Sequence, residues 1–121
     1  MFFPFIASAL ATTFSGNISG SGSVVFSTPP GHTLHLTGHN TYTGFTTIQG
    51  AVSISTPNNL PHTLIYLGNE DKSGKLEIKG NMTLPHPIQS FSQDSELFVR
   101  TNVTATLEGD LSGMYPLNIT G

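Results

Sequence analysis

The chain has 121 residues, which is enough for one domain, and a chain of this length buries roughly two-thirds of the surface that its unfolded form exposes. It contains no cysteine, so disulfides, thiolate metal sites and a cysteine nucleophile are excluded. The net charge is −3, with four Lys and Arg in total. That is too little positive charge for the basic surface that nucleic acids or anionic membranes require.

The first segment, residues 2–11, is apolar apart from Pro4 and Ser8. Residues 7–9 have the small-x-small form of a signal-peptidase site, but no basic residue precedes the apolar run. The run is also too short to span a bilayer as a helix. We therefore interpret it as a strand of the fold, with a signal peptide as the alternative.

Further along the chain, apolar and polar residues alternate in short runs. The alternation is clearest over residues 75–79, where three charged side chains lie opposite Leu76 and Ile78. A period of two predicts half-buried strands, and Gly, Asn or Pro bounds each run. The abundance of Thr, Ser, Asn and Gly disfavours helices. Many short strands at this spacing predict a β-sandwich, a barrel or a β-solenoid.

An internal repeat favours the solenoid among these three. A shift of 93 residues overlays residues 14–20 on residues 107–113, and five of the 28 overlaid pairs are identical. The overlay predicts that a second copy of a long unit begins at about residues 107–121. It also aligns the apolar first segment with internal strands.

Residues 16–22 and 31–48 resemble the passenger-associated β-strand repeat of bacterial autotransporters. Residues 18–22 and 40–44 match the core of that repeat letter for letter, and the resemblance covers residues 16–55. Three departures occur: Phe45 stands where the family has a second glycine, Phe26 replaces a lysine, and residues 28–30 form a small insertion.

The resemblance implies a right-handed parallel β-solenoid (a β-helix, pectin-lyase-like) of about four to five coils, with residues 1–121 as a single segment. It implies a non-catalytic, adhesin-like display segment of a secreted or surface-exposed passenger. Its partners would be the neighbouring coils of a longer passenger, together with host-surface or glycan ligands. The family's membrane-spanning translocator has no counterpart in these residues, so we expect the chain to be a piece of a passenger or the product of a broken reading frame.

In such a solenoid, alternate side chains point inward and glycine or asparagine forms the corners. We expect Asn40 and Gly44 at corners, with Tyr42 packed across one of them. His35, Ser53 and Glu77 are expected to face outward. The predicted inward set is Leu34, Leu36, Ile48, Val52, Ile54, Leu64, Leu76, Ile78, Leu84, Leu107, Leu111 and Ile119.

The chemistry-bearing side chains are scattered along the sequence. His32, His35 and His39 do not share a strand face, so we interpret them as solvent-facing or turn residues rather than as metal ligands. The acidic residues are dispersed: Glu70, Asp71, Glu77, Asp94, Glu96, Glu108 and Asp110. We predict no catalytic, cofactor-binding or metal-binding residue, and no cofactor.

The alternative function is a glycan-binding or polysaccharide-cleaving β-helix. Glycan binding would need an exposed row of aromatic side chains. Its candidate members are Tyr42, Phe45, Tyr66, Phe91 and Tyr115.

Overall fold

A computed structural model describes residues 5–8, 13–29, 31–69 and 72–121. Most of the apolar first segment and the acidic turn at Glu70 and Asp71 lie outside these residues. Within them the chain is all-β, as predicted, and its one helical element is a short 3₁₀ turn at Pro57–Asn59. The strands are β1 (Phe5–Ser8), β2 (Thr13–Phe14), β3 (Val24–Ser27), β4 (Thr33–Leu36), β5 (Thr46–Ile54), β6 (Ile65–Leu67), β7 (Gly74–Ile78), β8 (Met82–Leu84), β9 (Ile88–Ser90), β10 (Glu96–Val99), β11 (Ala105–Leu107), β12 (Leu111–Gly113) and β13 (Asn118–Thr120).

The strands stack into a parallel β-solenoid, which confirms the predicted fold class. The first sheet runs β1-β3-β5-β6-β9-β12, and the second runs β2-β4-β5-β7-β10-β13. All of these pairings are parallel. Each sheet stacks six strands, and the five steps between them correspond to five turns of the solenoid. A smaller third sheet pairs β8 with β11.

The stacking period is 18 to 24 residues, with Leu36 opposite Ile54 as the shortest step and Ile54 opposite Ile78 as the longest. The 93-residue shift seen in the sequence is therefore not the stacking period. That shift overlays β3, which belongs to the first sheet, on β13, which belongs to the second.

The two sheets share β5, which changes direction at Gly50. Residues before Gly50 pair with β3 and β6, and those after it pair with β4 and β7. Gly50 has φ +107°, and a Cβ there would collide with the Thr28 hydroxyl. Glycine is thus required at this corner for both its conformation and its lack of a side chain.

The core consists of inward ladders in which the same position repeats from turn to turn. In the second sheet Leu34, Val52, Leu76 and Leu97 are stacked in register, and all are buried. In the first sheet, the Ile65 and Ile88 side chains stack in the same way and are fully buried. Eight members of the predicted inward set are buried: Leu34, Leu36, Ile48, Val52, Ile54, Leu76, Ile78 and Leu84.

The prediction for Leu64 is wrong, because its side chain is only half-buried and Ile65 takes the inward position. Ile65 is the Cα partner of Thr46 and of Ile88, and both of those residues are buried. Leu64 therefore lies on the outward parity. Two adjacent apolar residues leave the sequence alternation ambiguous, and the register between turns resolves it.

Three further members of the set stack in the inward register but remain accessible. Leu107 is half-buried opposite Leu84. Leu111 is 41% exposed opposite Ile88, and Ile119 is 54% exposed opposite Leu97. The register of these residues agrees with the prediction, whereas the burial of Leu111 and Ile119 does not, because no described strand stacks on β12 or β13 from the other side.

The two predicted corner residues, Asn40 and Gly44, act through a side-chain bridge and through close packing. Asn40 does not adopt a positive φ; among the described non-glycine residues only Asn102 does. The buried Asn40 side chain instead bridges turns. It accepts a hydrogen bond from the Ile18 N–H and donates one to the Asn59 carbonyl, both at 2.7 Å. Gly44 is required for close approach, because a Cβ would meet the Ser23 side chain and the Gly22 backbone.

Candidate functional site

Three aromatic side chains form a row across successive turns on the outer face of the first sheet. The ring centroids of Phe45 and Tyr66 are 5.0 Å apart, and those of Tyr66 and Phe91 are 4.9 Å apart. Both pairs meet edge to face, at 80° and 63°. Phe45 is 40% exposed, and the other two rings are half-buried. We call Phe45, Tyr66 and Phe91 the aromatic row.

The row follows from the period of the strands and from the parallel stacking. Tyr66 lies at the centre of β6 between two inward residues, Ile65 and Leu67, so its ring points outward. Phe45 precedes β5 and Phe91 follows β9, which places each two residues out of register with Tyr66, in opposite directions. The row therefore crosses three turns obliquely.

A groove of about 990 Å³ lies beside the row, within the size range of small-molecule sites. Tyr66 and Phe91 contribute its apolar wall, and Met114 and Tyr115 continue that wall onto the last turn. Its polar lining includes Gln93, Asp94 and Lys72. Among the five candidates for an aromatic row, Tyr66, Phe91 and Tyr115 line this groove, and Phe45 contacts Tyr66 from the preceding turn.

Tyr42 is the candidate that does not join the row. Its side chain is 2% exposed and its hydroxyl is hydrogen-bonded to the Thr46 side chain. Burial raises the pKa of Tyr42 to about 12, although the hydrogen bond to Thr46 acts in the opposite direction. Tyr42 thus packs inside the corner as part of the core.

A second cluster on the outer face of the second sheet contains a histidine, a serine and a carboxylate. His35 Nδ1 is hydrogen-bonded to the Ser53 hydroxyl and lies 3.0 Å from Lys79 Nζ. Glu77 is the next residue along the ladder from Ser53, and it pairs with Arg100 at 3.1 Å. Burial, with the positive charge of Lys79 second, lowers the pKa of His35.

The serine of this cluster is not accessible to a substrate. Ser53 faces outward, as predicted from the alternation, but it has no exposed surface. A nucleophile must reach the reacting carbon, and Ser53 is covered between His35 on one turn and Glu77 on the next. Glu77 is engaged by Arg100. The arrangement therefore links the turns through polar contacts.

A buried histidine was not singled out by the sequence. His86 is 1% exposed, its Nε2 is hydrogen-bonded to the Leu60 carbonyl at 3.0 Å, and its ring meets that of His62 edge to face. Its Nδ1 is buried without a hydrogen-bond partner among the described residues. Burial is the main cause that lowers the pKa of His86. His86 lies between two prolines, and the sequence there shows no alternation of polar and apolar residues that would predict which way its side chain points.

The other predicted positions are dispersed over the surface. His32 and His39 are exposed, and His35 contacts neither of them. In the part of the chain that the structure describes, no group of three His, Asp or Glu side chains is arranged to hold a metal ion. No sequence pattern predicted that Gln93, Asp94 and Met114 line the groove, because their proximity to Tyr66 depends on the lengths of the turns.

No family model matches the chain, and neither the curated proteins nor the solved structures compared with it gave a match. The described residues include no helix long and apolar enough to cross a membrane.

Proposed function

We propose that the chain is a non-catalytic structural segment of a secreted or surface-exposed β-solenoid, adhesin-like and of the kind found in autotransporter passengers. In this role the segment displays its outer faces and stacks against further solenoid turns. The proposal rests on the sequence resemblance over residues 16–55 and on one structural observation, the open last turn.

In that last turn, apolar side chains lie in the core register without cover. Ile88 and Leu97 have no exposed surface, whereas their ladder partners Leu111 and Ile119 are 41% and 54% exposed. Within the described residues, β12 and β13 each pair on one side only. An uncovered apolar layer with unpaired strand edges favours the addition of another layer of strands.

The placement of the reactive side chains supports a structural role rather than catalysis. Ser53 is covered, Glu77 pairs with Arg100, and His35 contacts Ser53 and Lys79. Each of these contacts joins one turn to another. They stabilise the stack by the kind of cross-strand pairing that holds sheets together.

The experiment is sedimentation velocity over the micromolar range, where exposed strand edges drive association. We expect the unmodified chain to form species larger than a monomer. Ile119→Lys places a charge on the uncovered layer and should shift the distribution towards monomer. Asn118→Lys, which adds the same charge to the outward face of the same edge strand, should reduce association less, because it leaves the apolar layer intact. A wild-type chain that stays monomeric with a cooperative melt, or equal effects of the two variants, would contradict the proposal.

A further inference from the structure

We propose that the groove along the aromatic row binds a neutral oligosaccharide, with a pyranose ring stacked on an accessible aromatic face and sugar hydroxyls bonded to Gln93 and Asp94. This inference goes beyond the structural role and does not depend on it, because it is carried by the aromatic row on the outer face of the first sheet and not by the uncovered apolar layer.

The fold leaves part of the aromatic ring surface along the row accessible. Phe45 is 40% exposed and Met114 is 73% exposed, and Tyr66 and Phe91 are half-buried. A contiguous aromatic surface outside the core marks an interaction site more often than isolated apolar residues do. A pyranose ring carries an apolar C–H face and a polar rim, which suits aromatic rings flanked by hydrogen-bonding groups.

The shape of the row requires a ligand that is extended. The three centroids are spaced by 5.0 and 4.9 Å across three consecutive turns. Because neighbouring rings meet edge to face, at 80° and 63°, a linear chain of sugars can stack one unit on a ring face while its next units contact the edges of the other rings.

The polar lining fits sugar hydroxyls. Gln93 supplies an amide donor and acceptor, and Asp94 supplies a carboxylate acceptor. Neither side chain makes a hydrogen bond within the described part of the chain. The Tyr66 and Tyr115 hydroxyls likewise make none there. These groups can therefore pair with a ligand without breaking contacts inside the protein.

The charges of the lining disfavour an acidic ligand. Lys72 donates its ammonium to the Thr28 carbonyl and lies 3.5 Å from the Ser27 hydroxyl, so it is already held by the protein. Asp94 adds a negative charge to the lining. The described lining thus provides no excess positive charge to attract an acidic polysaccharide or a nucleic acid.

The test is isothermal titration of the full chain with cellohexaose, chitohexaose and xylohexaose. Heparin and a polyproline peptide serve as the acidic and peptide probes. We expect at least one neutral hexasaccharide to bind. Failure of all three to bind, or binding of only heparin or only the peptide, would overturn the proposal.

Matched variants locate the site. Tyr66→Ala should weaken binding at least tenfold, about 1.4 kcal/mol, whereas Tyr66→Phe should retain the stacking and most of the affinity. Phe98→Ala removes an outward aromatic ring from the second sheet, where it packs against Lys75, and should leave affinity unchanged. If Tyr66→Ala fails to fold, Gln93→Ala replaces it, because that side chain is exposed. Equal losses in the groove variant and in Phe98→Ala would refute the location.

Sedimentation distinguishes this inference from the proposed function. Ile119→Lys addresses the open last turn and should still bind the oligosaccharide, whereas Tyr66→Ala should still associate. Loss of binding in Ile119→Lys with Tyr66→Ala unaffected would place the sugar site on the last turn and contradict the proposal.

Discussion

Truncation of Leu76 to alanine tests the inward ladder of the second sheet. Leu76 has no exposed surface, and its Cα partners on the adjacent turns are Val52 and Leu97, which are also buried. Parallel ladders on both sides hold the backbone in place, so the cavity cannot collapse easily. We expect a loss of about 2–5 kcal/mol in the free energy of unfolding. A domain of this length has roughly 6–18 kcal/mol in total.

The assay is urea unfolding followed by tyrosine fluorescence and by far-ultraviolet circular dichroism. With a slope of about 2 kcal/mol per molar urea, the midpoint should fall by about 1–2.5 M. The matched control is Lys75→Ala on the same strand, which removes an outward cation 4.6 Å from the Phe98 ring centroid and should cost at most about 1 kcal/mol. A larger loss for Lys75→Ala than for Leu76→Ala would refute the register.

Three other perturbations have defined outcomes. Asn40→Ala leaves the Ile18 N–H and the Asn59 carbonyl unpaired and should cost about 1–3 kcal/mol in urea unfolding; stability equal to wild type would show that the bridge contributes nothing. Gly74→Ala sets a Cβ against the Ile48 carbonyl and the Gly68 backbone and should cost about 1–3 kcal/mol; an unchanged melting temperature would contradict the close packing. Burial lowers the pKa of His86 below its ordinary 6.5, so the unfolded chain binds a proton that the folded chain does not. The free energy of unfolding should therefore fall as the pH decreases from 6.5 towards the folded-state pKa. His86→Gln should reduce this dependence; an unchanged slope in that variant would exclude His86 as the cause.

The sequence predicted the side-chain orientation best where polar and apolar residues alternate strictly. Leu76 and Ile78, between three charged residues, are buried as expected. The alternation could not orient Leu64 and Ile65, because two neighbouring apolar residues fit either face. It also could not show that Ser53, although outward, would be covered, because the covering residues come from the turns before and after it.

The candidate groove was predictable only in part. The aromatic residues could be named from the sequence as members of a row, and the departure at Phe45 is where the row begins. Their alignment depends on turn lengths that vary between 18 and 24 residues, and no local pattern gives those lengths. Tyr42 stays outside the row because its corner directs the ring into the core.

The most direct test of the solenoid is a disulfide between adjacent turns, in a chain that has no cysteine of its own. Lys75 and Glu96 are Cα partners on β7 and β10 and both point outward, and neighbouring strands lie about 4.8 Å apart, within the Cα range that a disulfide spans. Lys75→Cys/Glu96→Cys should therefore oxidise to an intramolecular disulfide, detected by mass spectrometry after proteolysis. Lys75→Cys/Phe98→Cys is offset by two residues, at about 7–8 Å, and should form little. Efficient oxidation of the offset pair, or none of the in-register pair, would contradict the parallel stacking on which the core, the groove and the open last turn all depend.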